Sequence, residues 1–322
     1  MKKKDKTKNP IQPVSGTKVP RFAGPSTFAR LPEMRDVKSC DVAIVGIPFD
    51  AGTSYRPGAR FGPQSIRQAS RHLRTNYHPN YDIEPFKVQQ VADAGDIVCN
   101  PFNINEAIQQ IEKGALDLLN KVGGIISMGG DHTIAFPLLK AVNKINKGPV
   151  ALVHFDAHLD TWDTYFGAPY THGTPFRRAR EENLFLDNAS MHVGIRGPLY
   201  SPEDLKNDAE FGFKIIHCDE FQTDGIDKIV KRIRDRVGNN PLYLSIDIDV
   251  LDPAFAPGTG TPEVAGMTTR EIVNVIRGLS GLNLISADVV EVAPAYDHAE
   301  VTSLAAATIV YELTNLFAKT KE

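Results

Sequence analysis

The sequence contains little cysteine, and the cysteines that it has are far apart. Its three cysteines, Cys40, Cys99 and Cys218, form no CxxC pair. An odd number at this wide spacing argues against a disulfide framework and against a zinc site built from thiolates. We therefore expect three reduced, buried cysteines.

An excess of charge and long apolar runs are also missing. The formal net charge of -3 provides no basic surface for nucleic acid, although five of the first eight residues are lysine. We expect this short polar tail to be solvated and flexible. No apolar stretch approaches the roughly 18 residues that span a bilayer, and no apolar signal-peptide core follows the lysines. The sequence thus predicts a cytoplasmic protein that binds neither nucleic acid nor membranes.

The composition is that of a globular chain with a sizeable core, because 42% of its 322 residues are apolar. Residues 1–38 differ from the rest, since they carry five prolines among polar residues. Prolines at this density oppose regular structure and predict a partly flexible arm that lies over the body or a neighbouring subunit. Residues 39–322 contain no linker or internal repeat and are expected to form one domain.

Short apolar segments alternate with amphipathic segments through this domain. Predicted strands lie at residues 42–45, 125–128, 150–153, 191–194, 214–217, 242–246 and 284–287, with a weaker one near Val88. Predicted helices lie at residues 104–121, 135–145, 226–237 and 269–279. Most of the strands are apolar on both faces, which is typical of a sheet covered on both sides. The pattern predicts a three-layer α/β/α fold with a central, mostly parallel sheet of about eight strands.

Three groups of acidic and histidine residues each follow a predicted strand. They are Gly-Gly-Asp-His at 129–132, Asp-Ala-His-Leu-Asp at 156–160 and Asp-Ile-Asp at 247–249. The carboxyl ends of parallel strands meet at one edge of a sheet, so these groups are expected to converge. A single Asp or His at such a place is more often a turn former or a helix cap. The joint pattern favours a metal or catalytic site.

Alternation along an extended chain projects Asp156, His158 and Asp160 to one side, and likewise Asp247 and Asp249. Carboxylates crowded in this way repel one another and shift towards protonation unless cations compensate. Two divalent ions would largely neutralise them, and a carboxylate-rich site suits manganese better than a thiolate-type zinc site does. Two such ions acidify water for hydrolysis. His154 lies one step further back and is expected to support a ligand or to be structural.

These motifs resemble those of the ureohydrolase family, which contains arginases, agmatinases and related amidinohydrolases. The resemblance covers nearly all of residues 40–315, and the combination of the three motifs is highly specific. It implies an arginase-like fold with two manganese ions, for which nickel or cobalt are alternatives. One ion would take His132, Asp156, Asp160 and Asp247, and the other would take Asp156, His158, Asp247 and Asp249. Asp156 and Asp247 would be the bridges.

The same resemblance assigns roles to residues outside the three motifs. Glu291 would accept hydrogen bonds from a substrate guanidinium, which suits a planar cation and a carboxylate. His172 matches a proton carrier on a mobile loop, and a pKa near 6.5 suits that work. Thr261 falls in a glycine-rich loop near the guanidinium, and Asp160 would orient the attacking water. From the residues alone, Glu291 is equally consistent with a solvated strand end, and Thr261 with a plain turn.

Agmatine is the substrate that the sequence favours, with putrescine and urea as products. Asp163 is the only charged residue in the segment 161–176 apart from His172, and it is a candidate partner for the terminal ammonium. The aromatic residues of the same segment suit a tetramethylene chain or a cation–π contact. Hydrolysis of 4-guanidinobutanoate, another guanidino acid or a guanidine compound is the alternative, with Arg177 and Arg178 as potential cations.

The sequence argues against two other classes of function. A metal-dependent deacetylase with a single zinc would need a pair of adjacent histidines, and no two histidines are neighbours in this chain. A non-catalytic protein that only holds the metals is opposed by the presence of His172 and Glu291. The family resemblance further implies a homotrimer, or a homohexamer built from trimers.

Overall fold

The computed structural model describes residues 9–320, so the lysine-rich tail predicted to be solvated lies outside the described residues. Within this part, eight strands form one sheet in the order β2-β1-β3-β8-β7-β4-β5-β6, and every neighbouring pair is parallel. The strands are β1 (Val42–Ile47), β2 (Val91–Asp96), β3 (Gly124–Gly129), β4 (Ala151–Phe155), β5 (Met191–Ile195), β6 (Lys214–His217), β7 (Leu242–Asp247) and β8 (Leu284–Val290).

Helices cover both faces of the sheet. They are α1 (Gly62–Ser70), α2 (Pro85–Val88), α3 (Ile104–Leu119), α4 (Ala135–Asn146), α5 (Pro175–Glu181), α6 (Glu203–Glu210), α7 (Glu220–Asp224), α8 (Ile226–Val237), α9 (Thr269–Gly278) and α10 (Val301–Lys319). Successive residues of β1 enter opposite cores, since Ile44 packs in one apolar cluster and Val45 in the other. The predicted three-layer fold with a parallel sheet is confirmed.

Two of the differences from the sequence-based expectation have a clear physical reason. The weak strand near Val88 is wrong in position, because Pro85 opens the short helix α2 and pairing starts only at Val91 in β2. The long helix α10 is not among the predicted elements, since it is apolar on most of its surface and shows little amphipathic period. By length and composition it could cross a membrane, but 83% of its apolar window is buried inside the fold. We interpret it as a core helix.

Residues 9–38 pack against the domain. Phe28 and Leu31 are fully buried in the same apolar cluster as β1, and the Gln90 side chain accepts a hydrogen bond from the Ile11 backbone N–H at 2.7 Å. Cys40 and Cys218 are buried, whereas Cys99 is only half-buried.

Candidate active site

The order of the central strands brings the three polar motifs together. Strands β3, β8, β7 and β4 are consecutive in the sheet, so the segments that leave their carboxyl ends share one edge. Gly130 makes the turn after β3 with φ of 49°. A Cβ there would lie 2.5 Å from the Ile47 carbonyl oxygen and 2.6 Å from that of Phe49, so only glycine allows this tight path. The turn carries His132 into the centre of the edge.

Three carboxylates surround His132. Its Nδ1 lies 3.2 Å from Asp156 Oδ2, 3.0 Å from Asp160 Oδ2 and 3.3 Å from Asp247 Oδ2. The imidazole is fully buried, yet this nitrogen has no hydrogen-bond partner of good geometry. A buried polar atom without a partner needs an explanation, and a cation shared with the three carboxylates provides one.

A second group of donors adjoins the first. His158 Nδ1 lies 3.3 Å from Asp156 Oδ1 and 3.2 Å from Asp249 Oδ2. Asp156 thus faces the first group with one oxygen and the second group with the other, which is the position expected of a bridge. Asp247 is placed differently, because its Oδ1 accepts a hydrogen bond from the Asp249 backbone N–H at 2.8 Å. The bridging role of Asp247 stays a prediction.

The electrostatics of the cluster favour bound cations. Burial, followed by repulsion from Asp249 and Asp156, raises the pKa of Asp247 well above its ordinary value. Burial and the Asp156 charge likewise raise the pKa of Asp249 to about 6. Several buried carboxylates therefore repel one another, and positive charge would remove that cost. The residues present fit two divalent metal ions, with imidazole nitrogen and carboxylate oxygen donors.

This electrostatic cost predicts how metal removal changes stability with pH. The pKa values of Asp247 and Asp249 are raised, so the folded, metal-free chain binds more protons than the unfolded chain does. Their protonation therefore stabilises the metal-free fold below about pH 4. This stabilisation is lost as the pH rises through about 6 for Asp249 and through a higher pH for Asp247. Metal binding needs the deprotonated ligands. We expect the difference in Tm between the Mn²⁺-loaded and the chelated protein to grow from pH 5 to pH 8, as measured by scanning calorimetry. A difference that shrinks over this range would contradict the assignment.

A row of polar residues supports the ligands from within the sheet. Strand register aligns Asp288 of β8, Ser245 of β7, His154 of β4 and His192 of β5. Ser245 Oγ lies 2.9 Å from His132 Nε2 and donates to Asp288 Oδ1 at 2.8 Å. His154 is not free to bind a metal, because its Nε2 lies 2.7 Å from Asp156 Oδ2 and its Nδ1 lies 2.7 Å from His192 Nδ1. It therefore orients Asp156, in agreement with a supporting role.

Glu291 and His172 lie next to the metal ligands. Glu291 Oε1 accepts a hydrogen bond from the His132 backbone N–H at 2.8 Å and lies 3.4 Å from His172 Nδ1. The other oxygen, Oε2, is buried without a hydrogen-bond partner. His172 Nε2 lies 2.7 Å from Ser54 Oγ. Burial alone would lower the pKa of His172, but the hydrogen bond and charge of Glu291 raise it to about 9. His172 is thus protonated at neutral pH, unlike the ordinary loop histidine assumed from sequence.

A cavity of about 370 Å³ opens above the cluster, a volume that suits a small substrate. Asp160, His158, Asp247, His172 and Thr261 all line it. Thr261 Oγ1 also donates to Asp249 Oδ2 at 3.4 Å. Glu291 is not among the lining residues, but its Oε1 lies 3.4 Å from Nδ1 of the lining residue His172.

Asp163 is not among the residues that line this cavity, so the structure does not bring it together with the other predicted substrate-binding residues. Its side chain is 65% exposed, and it accepts a hydrogen bond from Arg178 Nη2 at 2.6 Å. Arg178 belongs to α5, which directly follows the loop, and this ion pair occupies the Asp163 carboxylate. The carboxylate that lines the outer cavity is Glu263, whose Oε1 lies 3.6 Å from His158 Nε2.

Aromatic rings form one wall of the cavity, and the sequence-based prediction did not include one of them, Tyr200. Trp162 stacks on Tyr165 with ring centroids 5.8 Å apart, and the hydroxyls of Tyr165 and Tyr200 lie 2.7 Å apart. Tyr200 comes from a separate loop, so no local pattern could place it here. Ser54 and Arg56, also among the lining residues, come from the loop after β1.

Comparisons with known proteins agree with this architecture. A model of the arginase family matches residues 40–315. The chain is 47% identical to putative agmatinase 1 of Schizosaccharomyces pombe over 93% of this chain and 84% of that protein. It is 44% identical to guanidinopropionase of Pseudomonas aeruginosa over 96% of each. The solved structure of proclavaminate amidino hydrolase from Streptomyces clavuligerus is similar with a TM-score of 0.89 and 40% identity, covering 94% of this chain and 100% of that one.

Proposed function

Because the chain belongs to the arginase family of guanidino hydrolases, we propose that it hydrolyses agmatine to putrescine and urea at the site described above. The observation that supports agmatine is the wall of Trp162, Tyr165 and Tyr200, which faces a cavity that also contains the Glu263 carboxylate. Aromatic faces pack a tetramethylene chain and attract an ammonium group, and a carboxylate pairs with it.

We assign cleavage of the guanidino group to the residues around the carboxylate cluster, at the bottom of the cavity. The free oxygen of Glu291 is a buried carboxylate atom that lacks a donor, which suits the N–H groups of a guanidinium. When bound, two divalent cations acidify water and stabilise the negative charge that forms during hydrolysis. We propose manganese, since the donors are mostly carboxylate oxygens.

The protein's own groups then hold the reactants and move protons. Asp160 lines the cavity within the first donor group, where it accepts a hydrogen bond from the attacking water and orients it. His172 carries a proton at neutral pH because its pKa is raised to about 9, and it donates this proton to the departing amine. Urea and a primary amine are the products.

The loss of this proton donor should slow turnover. We expect His172→Ala to lower kcat by roughly 10²-fold, the lower end of what general acid–base catalysis contributes. Bound metal should stay at the wild-type level, because His172 is not assigned as a ligand. Ser54→Ala, which removes only the hydroxyl 2.7 Å from His172 Nε2, should have a smaller effect. Loss of metal in His172→Ala would show that His172 is a ligand instead.

The position of Arg56 favours a second candidate substrate, a guanidino acid. It lines the cavity, its guanidinium carbon lies 5.3 Å from the ring centre of Tyr296, and within residues 9–320 it has no carboxylate partner. A substrate carboxylate such as that of 4-guanidinobutanoate would supply one.

A direct comparison of substrates separates the two candidates. We expect kcat/KM with Mn²⁺ to be roughly tenfold or more higher for agmatine than for 4-guanidinobutanoate, 3-guanidinopropanoate, arginine or guanidine, because a wrong tail leaves polar groups unpaired. Urea release measured side by side tests this. A preference for a guanidino acid that disappears in Arg56→Met would establish the second candidate and leave the metal chemistry unchanged.

A further inference from the structure

We propose that Asp208 is a positioning residue that holds two metal ligands, Asp156 and Asp160, through two separate buried connections. The inference rests on the proposed metal centre. Asp208 is the only buried residue of α6, and it has no lysine or arginine partner among the ion pairs of the described residues. A single carboxylate buried on a helix makes no apolar contact, and burial removes the water that would hydrate it. The partners of Asp208 therefore explain its burial.

The first connection runs through two histidine rings to Asp156. Asp208 Oδ2 lies 3.1 Å from His192 Nε2, a close contact that lacks hydrogen-bond geometry. His192 Nδ1 lies 2.7 Å from His154 Nδ1. His154 Nε2 lies 2.7 Å from Asp156 Oδ2. His154 and His192 face each other because they are paired in register across β4 and β5. All four side chains are fully buried.

The direction of these hydrogen bonds follows from the carboxylate at the metal end. Asp156 accepts from His154 Nε2–H, so His154 Nδ1 must accept from His192 Nδ1–H. His192 Nε2 is then left facing Asp208 Oδ2, which lies 3.1 Å away at the end of the series. Packing holds the rings in place, since Phe176 lies 4.3 Å from the His154 centroid and Phe213 lies 3.9 Å from that of His192.

The second connection runs through Thr161 to Asp160. Thr161 Oγ1 donates to Asp208 Oδ1 at 2.8 Å, and both groups are buried. Thr161 directly follows Asp160, which has a φ of 54°. A non-glycine residue in this left-handed region persists only where its surroundings hold it. The anchored threonine is one such restraint, and it keeps Asp160 beside His132.

Both connections end at ligands of the same ion. Asp156 and Asp160 are two of the three carboxylates that surround His132 Nδ1, so Asp208 restrains two donors of the first group at once. Such supporting residues typically change metal affinity by about 10- to 100-fold when they are removed. Asp208 touches neither the cavity nor the substrate, and its effect should appear in metal binding.

The test compares variants of the full-length protein by Mn²⁺ titration, with free Mn²⁺ measured by electron paramagnetic resonance below the Tm of every variant. We expect Asp208→Ala to raise the Kd of one of two Mn²⁺ ions by about 10- to 100-fold. Thr161→Val, which breaks only the second connection, should raise it less. Asp208→Asn should stay closer to wild type, because its amide can donate to His192 and accept from Thr161. Excess Mn²⁺ should restore kcat in Asp208→Ala.

Matched controls separate positioning from general destabilisation. Glu312 is a buried carboxylate 3.1 Å from His78, and Thr314 is a buried threonine that donates to a helix carbonyl. Glu312→Ala and Thr314→Val should lower Tm without changing either Kd. Unchanged Mn²⁺ affinity in Asp208→Ala, or in Thr161→Val if Asp208→Ala does not fold, overturns the proposal. Equal losses in the Asn and Ala variants do so too. A wild-type protein that binds fewer than two ions would instead refute the metal centre itself.

Discussion

Asp247→Ala is expected to abolish urea release and to reduce bound metal to fewer than two ions. Asp247 leaves the carboxyl end of β7, and its Oδ2 lies 3.3 Å from His132 Nδ1. Its assigned role is to serve both ions, so its loss leaves excess positive charge with fewer ligands. We expect kcat to fall by roughly 10⁴-fold or more, because the pKa of water returns towards about 15.7 when the ions are lost.

The measurement pairs kcat with metal content in the same preparations. Asp247→Asn keeps the shape of the side chain and tests the charge alone. Asp235→Ala is the control, because Asp235 is 64% exposed and pairs only with Lys231 among the ion pairs. An Asp247→Ala protein that kept two metals and more than half of the wild-type turnover would show that Asp247 is not a bridge.

Glu291→Gln is expected to lower kcat/KM by roughly 10²- to 10³-fold, the range that corresponds to breaking a buried charge pair at about 3 to 5 kcal/mol. Glu291 presents a buried oxygen without a donor, and a neutral amide would lose the charge that pairs with the guanidinium. Metal content should not change, because no ion is assigned to Glu291.

The same variant should also lower the pKa of His172. Removing the Glu291 charge removes the main factor that raises the His172 pKa to about 9. We therefore expect the basic limb of the pH–kcat profile to move to lower pH in Glu291→Gln. A control is Glu263→Gln, which changes a carboxylate of the outer cavity and should leave that limb in place. Wild-type kcat/KM in Glu291→Gln would refute the role of Glu291 in binding the guanidinium.

The residues predicted as metal ligands can be grouped from the sequence because local sequence and fold class together constrain them. Each motif follows an apolar strand, and a parallel sheet aligns all strand ends at one edge. The sequence therefore groups His132 with three carboxylates. The structure places an oxygen of each carboxylate, from Asp156, Asp160 and Asp247, within 3.3 Å of His132 Nδ1. The helix predicted at residues 226–237 agrees with α8 because its apolar residues recur with a strong helical period, and Ile229, Ile233 and Val237 are buried.

Residues from separate loops could not be grouped in this way. The sequence suggests Asp163 as a partner for the substrate ammonium because it is the only acidic residue in its segment. In the structure, Arg178 of the next helix pairs with it. Tyr200 and Asp208 come from segments whose local sequence carries no sign of the site, whereas Glu263 lies two residues after Thr261 in a loop that the sequence does associate with it. Loop paths depend on which side chains meet after folding, and a local pattern contains no information about a partner 35 or more residues away.

The sequence by itself determined the fold class, the edge of the sheet at which chemistry occurs and the donor types that meet there. These follow from apolar periodicity and from residues a few positions apart, whose relative placement the backbone geometry dictates. Only the tertiary structure decided that Asp163 faces solvent, that His172 is buried against Glu291, and that Asp208 lies behind Asp156 through two histidines. Those contacts depend on strand order and register, and the physical reason is that each joins segments brought together only when the whole sheet has formed.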